Sequence, residues 1–393
     1  MKRIVTLFAL LLWLPLTSWG CTTAVISGKF TKSGRPMIWK VRDTSEYDNH
    51  IRRFSSPLGH YIGLINDSDP EGTQIWGGHN SSGFAIMNSA SVNVNLDNPI
   101  DFKDQEGVIM KMALEQCVTL ADFEELLENL ERPMGLAAHF GVIDAQGGAA
   151  FYEVNNYTWT KFDANEDESG YLLRTNYSYT GVIGKGYGYV RKTTAEALFQ
   201  EIPMGTLTVE MLGSQLSRTL RHTLLGMDYS QPDFYTAHNY INTDDMITRF
   251  ATSSMILTEG VAPGEDPEET TSWVHIGQPF VSPLIPVWTW DEVPLALQLP
   301  KEGSDNPPTL AQLAKLAKRE LYPIRTVEEQ RYLYLPFIYN KQKSGVMQKL
   351  QLMEHVNISA LAKSNGHAEK KQVQSRMIQK GKEILEQAIS TSR

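Results

Sequence analysis

The 393-residue chain has only two cysteines, Cys21 and Cys117. It has no C-x-x-C pair and no H-E-x-x-H, and its nine histidines show no ligand spacing. No metal site and no cofactor are therefore expected. No basic stripe runs through the main body and the formal charge is −9, which argues against nucleic acid as a partner. After residue 16 no stretch is long and apolar enough to cross a bilayer. There is no internal repeat and no low-complexity tract. What remains is an ordinary globular composition, 41% apolar, in a chain long enough for one large domain with an appendage.

The N-terminus carries the clearest signal. Lys2 and Arg3 precede an apolar run from Ile4 to Leu16, and Ser18 and Gly20 put small residues at the −3 and −1 positions of a cut after Gly20. Residues 1–20 thus read as a secretory signal peptide, and the protein is expected to be exported, periplasmic or secreted. Cleavage would make Cys21 the first residue, joining a thiol and a free α-amine in one residue. Such an amine titrates at about 7.7–8.0. It can accept the thiol's proton without a histidine, as an N-terminal nucleophile requires. Three other readings stand beside this one. Cys21 could carry lipid and anchor an envelope protein, although Ser18 stands where lipoprotein sites prefer Leu. It could pair with Cys117 in a disulfide. The apolar run could stay uncut as an anchor, but roughly 13 residues fall short of the ~20 that span a bilayer.

Strands are expected at 21–28, 35–41, 61–66, 73–76, 84–88, 140–144, 149–154, 171–176, 251–257 and 272–276, from β-branched and aromatic runs bounded by turn residues. Gly77-Gly78 and Ser81-Ser82-Gly83 read as turns. Helical periodicity covers 108–130, with a break near Val118–Thr119 where Thr119 can cap the second half. It recurs over 189–200 and 208–225. Residues 301–308 form a polar linker, and helix-forming sequence follows to Arg393, its last stretch frayed or solvated. The organisation is read as signal peptide 1–20, a catalytic domain over 21–300 and a helical extension over 301–393. Hairpin-linked strands with intervening helices favour antiparallel sheets with helices on their faces.

A cysteine that attacks an amide needs a base, donors for the oxyanion, and charges that hold the amine and thiolate. Asp43 ends the hairpin that starts at Cys21 and could reach the α-amine, while Lys40 and Arg42 flank it as cations that favour a thiolate. Asn88 and Asn176 each end an apolar strand and offer amide donors for an oxyanion. Arg191, at a helix start, could bind a substrate carboxylate or tune the site. Each position also has a structural reading, as a solvated loop charge, a turn-forming Asn or a surface helix residue.

Together these residues resemble a family. Gly20-Cys21-Thr22-Thr23 resembles the cleavage-and-nucleophile sequence of penicillin acyltransferases and the start of Cys-type N-terminal nucleophile dipeptidases. Pro36 to Thr44 resembles the segment in which those dipeptidases and the choloylglycine hydrolases carry an Arg, two residues, then an Asp. Asp43 matches the Asp, and Lys40 stands in place of the Arg. Asn80 to Asn88 resembles the family's Asn-Glu-x-Gly-Leu stretch that leads to an oxyanion-hole Asn, with Ser81 in place of the Glu. Arg174-Thr175-Asn176-Tyr177, Arg191 and Trp273 to Pro279 follow in the family's order. The resemblance spans about residues 21–290. It implies an α+β fold, a four-layer αββα sandwich of two antiparallel sheets, here with a C-terminal helical extension. It also implies hydrolysis of a linear amide C–N bond through a Cys21 thioester, with a small-molecule amide as partner: an N-acyl amide, a conjugated bile-salt-like amide or a small peptide. Acyl transfer to an amine stays open, as do a non-catalytic lipoprotein and a homo-oligomer.

Overall fold

The computed structural model describes residues 20–96, 105–300, 306–327 and 330–391. Nearly all of the expected leader, residues 1–19, lies outside them. Chain order begins with ten strands, β1 (Cys21–Ile26), β2 (Met37–Asp43), β3 (Asn49–Ser56), β4 (Gly59–Asn66), β5 (Gly77–Asn80), β6 (Ala85–Ala90), β7 (Ala138–Ile143), β8 (Ala149–Val154), β9 (Trp159–Asp163) and β10 (Tyr171–Arg174). They are interrupted by helices α1 (Glu106–Gln116) and α2 (Leu120–Asn129) and followed by α3 (Tyr189–Gln200). Strands Thr252–Glu259, Thr271–Ile276 and Ile285–Val287 come later.

Two antiparallel sheets form the centre. One runs β10-β1-β2 and then through the three late strands; the other runs β3 to β9 in sequence order. They pack face to face, β1 and β2 against β6 and β7. Helices α1 and α3 lie on the outer faces, α1 on β5 and β6 and α3 on β10. The fold is α+β, a four-layer αββα sandwich. Because β1, β2, β7 and β8 are covered on both sides, every residue in them is buried, including the charged residues Lys40, Arg42 and Asp43 of β2.

The expected helix over 108–130 is two helices. The Thr119 hydroxyl accepts from Asp122 N, and the Asp122 carboxylate accepts from Thr119 N, a reciprocal cap that starts α2. The helix expected over 208–225 is absent as such. Irregular helical turns over Glu210–Arg218 give way to a two-residue strand, Arg221–His222. Gly213 packs against Leu284, so close that a Cβ there would lie 2.8 Å from it. Arg218 is drawn into an ion pair with Glu354, and packing thus overrides the local period. The strand expected over 73–76 starts only at Gly77, and Gly77-Gly78 is strand rather than turn. A Cβ on Gly78 would lie 2.0 Å from the Ile62 carbonyl oxygen, so glycine allows β4 and β5 to approach. β3 and β9 carried no clear sequence signal.

The late helices Leu310–Leu321, Val346–Leu361 and His367–Thr391 lie against the sandwich. The last, expected to be frayed, is a 25-residue helix that buries Val373, Met377, Leu385 and Ile389. No helix among the described residues is long and apolar enough to cross a membrane.

Candidate active site

Cys21 begins β1 opposite Arg42 on β2, and Thr23 faces Lys40 two residues on. Cross-strand partners share a face of the sheet. That face looks toward the second sheet, because Lys40 Nζ donates to Asn88 Oδ1 on β6 at 2.6 Å. The Cys21 side chain therefore lies between the sheets, at the end of the sandwich. It lines a cavity of about 140 Å³ with Lys40, Arg42, Asp43, Trp76, Asn88 and Asn176. The structure thus gathers six expected residues around one space. The seventh, Arg191, reaches the same residue from α3.

Arg191 is fully buried, and its Nη1 donates to the Cys21 carbonyl at 2.6 Å and to Thr22 Oγ1 at 3.1 Å. Its Nη2 donates to Asn176 Oδ1 at 2.7 Å. Burial pushes Arg191 down to about 10, with the Arg249 charge acting in the same direction. Asn176 Oδ1 also accepts from the Cys21 nitrogen at 3.0 Å, and its Nδ2 donates to the Ala90 carbonyl at 3.0 Å. This differs from the oxyanion role expected from sequence: Asn176 grips the α-nitrogen with its oxygen and spends a donor on β6. In the uncut chain that nitrogen belongs to the Gly20–Cys21 peptide.

Lys40 and Asn88 form a second unit. Lys40 Nζ donates to the Trp76 carbonyl at 2.8 Å as well as to Asn88. An ammonium can only donate, so it fixes the Asn88 oxygen toward itself. No hydrogen bond among the described residues takes Asn88 Nδ2, which leaves that donor for the cavity. Burial lowers Lys40 to about 7; a Cys21 thiolate opposes this and Arg42 reinforces it. Arg42 lies with its guanidinium 4.9 Å from the centre of the Trp76 ring and donates to Asn49 Oδ1 and Asn66 Oδ1. It therefore walls the cavity, and Lys40 holds the asparagine.

Asp43 was expected beside the α-amine. Its oxygens instead accept from Arg249 Nε at 2.7 Å and Thr252 Oγ1 at 2.6 Å. The cause is a register shift between Thr252 and Ser254, a bulge that places Thr252 opposite Asp43. The Asp43 charge supports the guanidinium form of both Arg191 and Arg249. A Cβ on Gly20 would lie 2.1 Å from Arg249 Nη2 and 2.9 Å from Arg191 Nη2, so a larger residue before Cys21 would have to push the arginine ends aside. Sequence reasoning missed Arg249 and Thr252. Neither stands in a motif, and only the bulge brings them to Asp43.

Cys117 is a different thiol. It follows α1 in the core, and burial pushes it up to about 12. Both cysteines are free, so the Cys21–Cys117 disulfide does not form. No cluster among the described residues could hold a metal ion.

Residues 45–218 match the model of the acyl-coenzyme A:6-aminopenicillanic acid acyl-transferase family. The match marks this part of the chain, less than half of it, as similar to that family. The matched span holds Asn88, Asn176 and Arg191 and begins beyond Asp43, so Cys21, Lys40, Arg42 and Asp43 lie outside it. No curated protein matches the chain in sequence. Among solved structures, a mutant of the conjugated bile acid hydrolase from Clostridium perfringens is similar at 12% identity and a TM-score of 0.42, covering 70% of this chain and 93% of that one. Penicillin V acylase from Agrobacterium tumefaciens is similar at 12% identity and a TM-score of 0.36, covering 69% and 87%.

Proposed function

We propose that the protein is exported, is cut after Gly20, and then hydrolyses a small linear amide through a Cys21 thioester. One observation carries this reading: the Cys21 nitrogen is held by Asn176 Oδ1 beneath Arg191, while its side chain shares a cavity with Asn88. Cleavage would turn that peptide nitrogen into an α-amine already hydrogen-bonded in place. The neighbouring Arg191 and Arg249 charges disfavour an ammonium there and leave the amine free as a base.

Chemistry then follows from the placement. The amine takes the thiol proton, and Sγ attacks the amide carbonyl. Asn88 Nδ2, oriented by Lys40, donates to the oxyanion. The ammonium returns its proton to the leaving amine, whose C–N bond breaks and leaves a thioester on Cys21. Water, deprotonated by the same amine, releases the acid. A competing amine in the cavity would instead take the acyl group, and the family includes that outcome.

The test uses protein starting at Cys21 and a chromogenic N-acyl anilide. Denaturing mass spectrometry during turnover should find the acyl mass on the Cys21 peptide. Protein that retains Gly20 should release no anilide, because its α-nitrogen cannot act as base. Equal turnover by the two forms would remove the N-terminal mechanism.

A further inference from the structure

The segments that follow Asn88 and Asn176 are tied to each other by a histidine that the proposed reaction does not use. His139 lies on β7 directly opposite Ser89, the residue after Asn88. It is fully buried. Its Nδ1 lies 2.9 Å from Ser89 Oγ, and its Nε2 lies 2.8 Å from Ser178 Oγ, just beyond Asn176 and Tyr177. Burial pushes His139 down to about 3; Glu153 opposes this, Arg174 reinforces it, and a hydrogen bond with the Tyr177 backbone opposes it. The ring is therefore neutral. A neutral imidazole has one donor nitrogen and one acceptor nitrogen, and a hydroxyl can meet either. One ring thus serves both serines.

This tie falls where β6 is weakly held. β5 pairs with β6 only from Ala85 to Met87, so Asn88, Ser89 and Ala90 have β7 as their one ladder neighbour among the described residues. Asn88 and Ala90 line the Cys21 cavity. Ser91 and Asn93 extend the seam: Ser91 Oγ lies 2.7 Å from Ser178 Oγ, and Asn93 Oδ1 accepts from Ser178 N at 2.7 Å. The two asparagines differ in what else holds their side chains. Asn176 has the Cys21 nitrogen, Arg191 and the Ala90 carbonyl. Asn88 has Lys40 alone among the described residues. Loosening the seam therefore displaces Asn88 before Asn176.

We propose that His139 is a positioning residue for the amide reaction: by bridging Ser89 and Ser178 it fixes the end of β6 so that the Asn88 donor meets the oxyanion formed at Cys21. The inference rests on the function proposed above. A donor stabilises an oxyanion only when it stands about 2.7–3.1 Å from where that oxygen forms, so a small shift of β6 is felt in the rate.

The test uses protein starting at Cys21 and reads two quantities, steady-state release of the anilide and the rate of Cys21 alkylation by iodoacetamide. Alkylation needs the thiol and its amine but forms no oxyanion, so it follows the nucleophile apart from the donor. His139→Leu should lower kcat by about tenfold and leave KM and alkylation as in the wild type. His139→Gln, whose amide offers both a donor and an acceptor, should recover most of that loss. Ser89→Ala removes one hydroxyl and no ring, and it should lower kcat in the same way even if His139→Leu does not fold. In an Asn88→Ala background Ser89→Ala should cost nothing further, because a residue that acts through Asn88 has nothing left to position. The inference is overturned by wild-type kcat in Ser89→Ala, by a cost that multiplies with that of Asn88→Ala, or by alkylation that slows as much as kcat falls. Wild-type protein that alkylates at Cys21 yet releases no anilide instead overturns the proposed function, and this inference with it.

Discussion

Two of the buried sites in this molecule that bring arginine together with acid solve the problem differently. At the junction with the C-terminal helices, Arg218 binds Glu354 through both arms, at 2.6 and 2.8 Å. Its remaining donors meet the carbonyls of Pro279 and Ser282, and Glu354 also accepts from Leu284 N and Ser214 Oγ. Both side chains are fully buried. At the end of β1 and β2, by contrast, Lys40, Arg42, Arg191 and Arg249 gather around one thiol, with Asp43, Glu46 and Glu106 as the carboxylates near it. The junction is neutral and saturated. The Cys21 end keeps an amide donor, Asn88 Nδ2, that no described residue takes. A saturated network holds a structure together, whereas an unsaturated one is prepared for a negative charge that forms during reaction.

The largest test of this contrast is Cys21→Ala in the cut protein. Amide turnover should fall by a factor of about a thousand or more, with unfolding by urea unchanged. Turnover at the wild-type rate would place the chemistry elsewhere. The opposite variant, Glu354→Gln at the junction, should cost about 3–5 kcal/mol of stability by leaving a buried charge unpaired. Turnover per folded molecule should stay as it was. A midpoint shift well below that range would mean water reaches the pair.

Within the catalytic end, Asn88→Ala should lower kcat by about a hundredfold or more and leave KM nearly unchanged, since it removes a donor used only when the oxyanion forms. A rise in KM alone would make Asn88 a ground-state contact. Thr252→Val should be milder. It releases one hydrogen bond to Asp43, and acylation measured by the burst of anilide should slow by roughly tenfold. An unaltered burst would show that Asp43 needs only Arg249.

A further test is a pH slope. Lys40 in the folded chain stands near 7, below the ordinary lysine value of 10.5. Between these values the unfolded chain holds more protons, so stability rises with pH through that window. Below about 7 both states are protonated and the slope vanishes. Lys40→Met should have a flatter stability profile from pH 7 upward than the wild type. Parallel profiles would mean that Lys40 is charged throughout.

Much of the fold is legible in the sequence. The reciprocal cap of Thr119 and Asp122, the strand Ala149–Val154 and the helix Tyr189–Gln200 rest on local signals that survive packing. The span 208–225 failed because its helical period is local, while the pull of Glu354 on Arg218 acts across 136 residues. Gly77-Gly78 failed for the reverse reason. Glycine marks turns, but here it admits a neighbouring strand.

The candidate site divides along the same line. Cys21 as a first residue, its small predecessor Gly20, and the candidates Asp43, Asn88, Asn176, Lys40, Arg42 and Arg191 are all visible as types at positions, because a nucleophile, a base and oxyanion donors require particular functional groups. Their assignments needed the tertiary structure. Which amide atom faces the nitrogen, which cation holds Asn88, and the bulge that gives Asp43 to Thr252 and Arg249 depend on contacts between residues up to 209 positions apart. Composition and pattern determine what chemistry a chain can carry. Register and packing decide which atom carries it, because a hydrogen bond is set by tenths of an ångström that no spacing along the chain encodes.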